Sequence, residues 1–213
     1  MKATIKGYEI TDFDGRPAIK VNIETNEYPI TVYLLGPDRR TIDMKVIESE
    51  KDIPAILYFG LPGANTKPGT YYLKLEYGAK TLEEKEIELV GSKVQLVDYK
   101  FSFEYNELIG YKFKRVELTL KNIGDTPAYV YYIELKVDDK TPLSMVAEQY
   151  KTPMNPGETK TYSADFSLLF VDKPGTYKVE IRVADSYGTV IGEFVKTIEV
   201  KWDQYSGVSF YFL

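Results

Sequence analysis

The sequence predicts an all-β protein built from two tandem antiparallel β-sandwiches of about seven strands each. Three observations carry this expectation. The motif Lys67-Pro68-Gly69-Thr70-Tyr71 returns as Lys173-Pro174-Gly175-Thr176-Tyr177. Each copy is a Pro-Gly turn feeding a strand of strict alternation. Tyr71, Leu73, Leu75 and Tyr77 share one face in the first, and Tyr177, Val179, Ile181 and Val183 in the second. Period two with one apolar face marks a half-buried antiparallel strand. Turn signals, finally, recur about every ten residues, and no segment sustains a helical period.

In the first half, residues 2–10 alternate as a strand, and 11–17 form a turn with Asp14-Gly15 at its centre. Ile19, Val21 and Ile23 share a face of the next strand. Residues 28–35 are nearly continuously apolar, which predicts a central strand covered on both faces or an aromatic patch. Gly36-Pro37-Asp38 turns the chain into a strand over 41–47, and residues 48–52 make a charged loop. Strands at 53–59, at 71–77 and through Ile87 and Leu89 complete the first sandwich.

The second half repeats the plan with strands over 94–105 and 111–121. In the latter, Tyr111 and Phe113 occupy odd positions while Val116, Leu118 and Leu120 occupy even ones. That change of parity near Lys114-Arg115 predicts a β-bulge. Residues 122–127 turn, and 128–137 form a strand carrying Tyr129, Tyr131 and Tyr132. Residues 140–156 are less regular and suit a short edge strand or a helical turn. Strands over 159–169, 177–183 and 190–200 follow. The domain reading is therefore 1–91, 92–201 and a C-terminal tail, 202–213, with a short linker at Val90-Gly91-Ser92-Lys93.

Composition narrows the function classes. At 213 residues each half is large enough to bury its own core. A net charge of −5 with neither half basic argues against a surface that tracks nucleic-acid phosphates, and its even spread argues against a polybasic membrane patch. No apolar run is long enough to span a bilayer, so no membrane insertion is expected. Cysteine is absent, so there is no disulfide framework. Lys and Glu dominate the charges while Asn and Gln are few, the usage of a thermostable, archaeal-like protein. The location follows from processing: the cell surface, the extracellular space or a virion if a leader was removed or delivery is by assembly, the cytoplasm if Met1 is the native start.

The second half resembles the immunoglobulin-like domains of the CARDB type, the cell-adhesion-related domains of bacteria and archaea. The matching residues are Leu120-Lys121-Asn122-Ile123-Gly124-Asp125, Asn155-Pro156-Gly157-Glu158 and Pro174-Gly175-Thr176-Tyr177. The resemblance spans roughly residues 93–200, and the first half shares Pro68-Gly69-Thr70-Tyr71 with it. In the family type these turns end strand B, open a strand and open strand F. Each glycine is expected where a tight reversal needs positive φ. The resemblance implies an immunoglobulin-like fold and, by analogy, a surface, adhesive or structural setting; it carries over no functional residue.

The chain contains no histidine and no cysteine. A Ser-His-Asp triad, a Cys-His dyad and an imidazole or thiolate zinc site are thereby excluded. Asp12-x-Asp14-Gly15 resembles the opening of a calcium loop but lacks the bidentate glutamate at the twelfth position, so it reads as a turn. Glu83-Glu84 and Asp138-Asp139 read as solvated turn or edge charges. No catalytic residue, cofactor or metal is expected.

Aromatic residues are the remaining signal, with 19 Tyr and 10 Phe. Tyrosine favours strands and buries well with its hydroxyl bonded. The alternative is that Tyr28, Tyr33, Tyr72, Tyr129 and Tyr132 expose platforms for a sugar or a protein. The tail holds Trp202 and Tyr205 and ends Phe210-Tyr211-Phe212-Leu213, an aggregation liability unless covered by its own domain or a neighbour's edge. These readings name Trp202, Tyr205, Phe210, Tyr211, Phe212, Leu213, Tyr129 and Tyr132 as interaction candidates. The expected function is a non-catalytic structural or adhesive module that self-associates or binds a protein through its tail, sheet edges and aromatic patches. Alternatives are a carbohydrate-binding module, recognisable by a coplanar exposed aromatic strip, and an intracellular two-sandwich scaffold or adaptor.

Overall fold

The computed structural model describes residues 2–106, 108 and 110–201. Contacts divide the chain into two units, Met1–Ser92 with Gly124–Ala128 and Lys93–Ile123 with Tyr129–Leu213. Both are all-β, and every strand pair is antiparallel.

Unit 1 holds β1 (Ala3–Phe13), β2 (Arg16–Thr25), β3 (Ile30–Leu35), β4 (Thr41–Ile47), β5 (Ala55–Tyr58), β6 (Gly69–Tyr77) and β7 (Lys80–Leu89). One sheet runs β1-β2-β5 and the other β4-β3-β6-β7. Alternate residues of both sheets meet in a single core, among them Ile19 and Val21 of β2, Val32 and Leu34 of β3, and Leu73 and Leu75 of β6. β3 is central, one of the two alternatives its apolar run left open, with Thr31 and Tyr33 of its outward face half-buried. The β1–β2 turn is tighter than the 11–17 loop expected, because pairing continues to Phe13 and Arg16. Asp14 (φ 54°) and Gly15 (φ 73°) alone make the reversal, the left-handed pair that suits the twist of a hairpin. The Asp12-x-Asp14-Gly15 motif is thus a turn, with Asp12 accepting the Gly15 N–H at 3.3 Å.

Unit 2 holds β8 (Val94–Asn106), β9 (Gly110–Asn122), β10 (Tyr132–Val137), β11 (Leu143–Val146), β12 (Thr159–Asp165), β13 (Phe170–Val171), β14 (Gly175–Ala184) and β15 (Val190–Val200). β9 lies between β8 and the pair β12 and β13, and the second sheet runs β11-β10-β14-β15. With β12 and β13 counted as one interrupted strand, the order repeats that of unit 1 strand for strand. It fits an immunoglobulin-like sandwich.

The bulge read from the parity change is present. Ser102 pairs with Arg115 and Phe103 with Phe113, leaving Lys114 unpaired between them. Its consequence on the other side of β9 was not foreseen. The strand expected over 159–169 breaks after Asp165, opposite the bulge, and a turn closed by Leu169 N–H on Phe166 O (2.8 Å) intervenes before β13. An extra residue displaces the backbone it belongs to, and the partner strand must step away to follow it.

The strand expected over 128–137 is also shorter and begins at Tyr132. The preceding segment Gly124–Ala128 belongs to unit 1. There Asp125 accepts the N–H groups of Val90 and Gly91, both at 2.8 Å. Gly91 (φ 75°) has no room for a side chain, since a Cβ would lie 2.5 Å from Thr66 O.

The repeated Pro-Gly-Thr-Tyr motif now has a physical account. The Tyr71 hydroxyl donates to Lys67 O at 2.9 Å, and Tyr177 donates to Lys173 O at 2.6 Å. This is the tyrosine corner of immunoglobulin-like sandwiches, which fixes the chain as it enters the sixth strand. The expectation about glycines holds in part. Gly69 (φ 147°) and Gly157 (φ 79°) adopt positive φ, whereas Gly124 and Gly175 do not. In the second copy the corner is held by the tyrosine bond.

Replacing Tyr71 with Phe keeps the ring and deletes the bond. Tyr71 is buried while Tyr177 is half-exposed. Urea unfolding is expected to show a loss of about 1 kcal/mol for Tyr71→Phe and a smaller loss for Tyr177→Phe.

Candidate functional site

What each unit offers a partner is decided on its outward faces. In unit 1, edge strand β4 turns Ile42, Met44 and Val46 to solvent, with 39%, 57% and 44% of their surface exposed. Met44 pairs with Tyr33 and Val46 with Thr31, so the row continues onto β3. The inward parity of β4 carries Asp43 and Lys45, which pair with the buried Leu34 and Val32. Asp43 accepts the Tyr58 N–H of β5 at 2.8 Å and so closes this flank of the sandwich. Any strand added to β4 would shut Lys45 away from water, which guards the edge. β4 therefore combines an apolar face with a protected backbone.

The opposite margin of that face is acidic. Glu84, Glu86 and Glu88 of β7 pair with Lys74, Tyr72 and Thr70 of β6. Glu84 holds Arg39 at 2.9 Å, and the Arg39 guanidinium lies 4.0 Å above the Tyr72 ring. Lys74 stands 5.8 Å above Tyr33. Glu83 is not simply solvated, because it accepts the Ile5 N–H at 2.7 Å at the bulge of β1.

In unit 2 the equivalent face is ordered in cross-strand rows. Tyr132 stands between Val146 of β11 and Ala184 of β14, with Val190 of β15 beyond. The next row is Ser144, Glu134, Arg182 and Glu193. It is chained: Ser144 Oγ donates to Glu134 Oε2 at 2.9 Å, Arg182 Nη1 to Glu134 Oε1 at 3.5 Å, and Arg182 Nε to Glu193 Oε1 at 2.8 Å. A groove of about 410 Å³ runs over both rows.

A separate polar cluster fastens the loop after β11 to β9 and β12. Arg115 donates to both oxygens of Glu148 at 2.7 and 2.8 Å and to Ser163 Oγ at 2.7 Å. The Glu148 N–H donates to Ser163 O, and the Ser163 N–H to Gln149 Oε1, both at 2.8 Å. Hydrogen bonding to Arg115 holds the Glu148 carboxyl below the ordinary carboxylate range. A carboxylate stabilised in this way is a weak base toward Ser163, so the arrangement suits bracing better than nucleophilic chemistry.

The interaction candidates read from the sequence separate here. Trp202, Tyr205, Phe210, Tyr211, Phe212 and Leu213 lie outside the described residues. Tyr129 is buried, with 4% of its surface exposed, and offers no platform. Tyr132 is half-buried at the groove, its ring edge-on to Tyr131 at 4.7 Å, and Tyr131 packs on Tyr150 at 5.1 Å. Tyr28 packs against the core of unit 1, and Tyr33 and Tyr72 lie under cations. These tyrosines form no bare coplanar strip. The row Ile42-Met44-Val46 was missed; its signal was an alternation whose direction the sequence alone did not give. Among the described residues no group of three or more acidic, His or Cys side chains is placed to hold a metal ion.

No protein-family model matches the chain, and no curated protein matches it. Among solved structures, the BSP domain of a biofilm-associated protein aligns over 96% of this chain and 30% of its own, at 12% identity and a TM-score of 0.29. Purple acid phosphatase PPD1 from yellow lupin (Lupinus luteus) seeds aligns over 91% of this chain and 40% of its own, at 11% identity and a TM-score of 0.28. The chain thus spans well under half the length of either. At these scores neither likeness bears on activity, and the class, an all-β protein of two antiparallel sandwiches, rests on the sheets themselves.

The Glu148 bracing predicts an acid response. A folded-state pKa below the unfolded value of about 4.3 means that this stabilisation is complete above that pH and is lost as pH falls through the lower folded value. Glu148→Gln is therefore expected to flatten the decline of the urea midpoint as pH falls below the unfolded value of about 4.3. An unchanged acid limb in the variant would assign that decline to other carboxylates.

Proposed function

We propose that the protein is a non-catalytic structural or adhesive module of the CARDB type, a building block of a surface, appendage or virion. It assembles by laying the C-terminal segment 202–213 of one copy over the outward face of unit 1 in the next. The exposed row Ile42-Met44-Val46 carries this reading. A contiguous apolar strip at the margin of a sheet is costly to leave bare and marks a place where another chain packs.

The segment's composition fits that strip. Residues 202–213 carry a single charge, Asp203, and end Val208-Ser209-Phe210-Tyr211-Phe212-Leu213. The contact is with the face and not the backbone edge, because strand addition at β4 would bury Lys45. The acidic margin on β7 keeps the rest of the face from stacking on itself through like-charge repulsion.

Light scattering on three proteins tests this: the full chain, a chain stopped at Lys201, and Met44→Asp. The full chain is expected to associate and both variants to be monomeric with unchanged melting temperatures. Three monomers, or association that survives Met44→Asp, would sink the proposal.

A further inference from the structure

We propose that the groove on the outward face of unit 2, built on the single aromatic Tyr132 beside a polar row and not on a coplanar aromatic strip, is a binding site for a neutral saccharide. The argument starts from its two rows. Tyr132 and Val190 supply an apolar wall, and Ser144, Glu134 and Arg182 supply planar and hydroxyl hydrogen-bonding groups one row away, with Glu193 bonded to Arg182 behind them. A sugar ring has that same division, with a C–H face that packs on an aromatic or aliphatic side chain and a rim of hydroxyls that both donate and accept.

Charge narrows the ligand class. Arg182 is the cation of the row and is already bonded to Glu134 and Glu193. An anionic ligand reaching the remaining N–H groups of Arg182 would meet the repulsion of both Glu134 and Glu193. A neutral ligand joins the network without breaking it, because a carboxylate oxygen accepts more than one hydrogen bond.

Size agrees. The volume of about 410 Å³ falls in the range of small-ligand clefts, roughly 300–1,000 Å³. A second groove of about 490 Å³ shares Glu134 and Arg182 and continues toward Lys136 and Val195. The two together suit a chain of sugars more than a single ring. Among the described residues, the corresponding face of unit 1 carries instead the apolar row and the cation-capped tyrosines.

The test uses the full chain against an array of neutral and anionic oligosaccharides, each hit then titrated as the free oligosaccharide. At least one neutral oligosaccharide is expected to bind in both formats. Ser144→Ala and Glu134→Gln are expected to weaken it by roughly fivefold to tenfold with unchanged melting temperature, and Tyr132→Ala by more. Absence of any neutral hit, or a hit whose affinity none of the three variants alters, overturns the assignment. So does retention on the array that the free sugar fails to compete.

Discussion

A tyrosine hydroxyl bonded to a carbonyl four residues upstream stands at the same place in both units. The bond sets where the sixth strand begins and which way its first side chain points, and a strand's parity is then fixed along its length. That strand lies inside the four-stranded sheet, so its register passes to both neighbours. Leu73 and Leu75 in one unit, and Val179 and Ile181 in the other, are buried as a result.

Inside, the two units are variations on one plan; outside, they differ. Both inner faces take branched apolar and aromatic side chains, since a dry core between two sheets admits little else. The outer faces carry no such constraint. Unit 1 places an apolar row at one margin and glutamates at the other, whereas unit 2 alternates an apolar row with a hydrogen-bonded polar one.

The irregular parts of the chain are held by satisfied polar groups. Asp125 accepts two backbone N–H groups beside Gly91, Asn122 donates its side-chain amide to Met154 O at 2.9 Å, and Arg115 braces the loop after β11. Each leaves a turn with its backbone paired where the ladder cannot pair it. Such loops are dictated by side-chain partners far away in sequence, which is why local patterning describes them poorly.

By itself the sequence determined the all-β class and the bulge at Lys114, because both follow from period-two alternation or its interruption, and the duplication, because a turn motif returns. The tertiary structure alone decided the direction of that alternation in β4. Ile42, Met44 and Val46 alternate with Asp43 and Lys45, and hydrophobicity would turn the apolar set inward. Pairing of Ile47 with Ile30 turns it outward instead, since both of those residues are buried and parity propagates from them. The groove at Tyr132 was half legible: the tyrosine cluster was visible, but its polar row joins residues as distant as Glu134 and Glu193. Cross-strand register brings those residues together, and register depends on packing that no single strand contains.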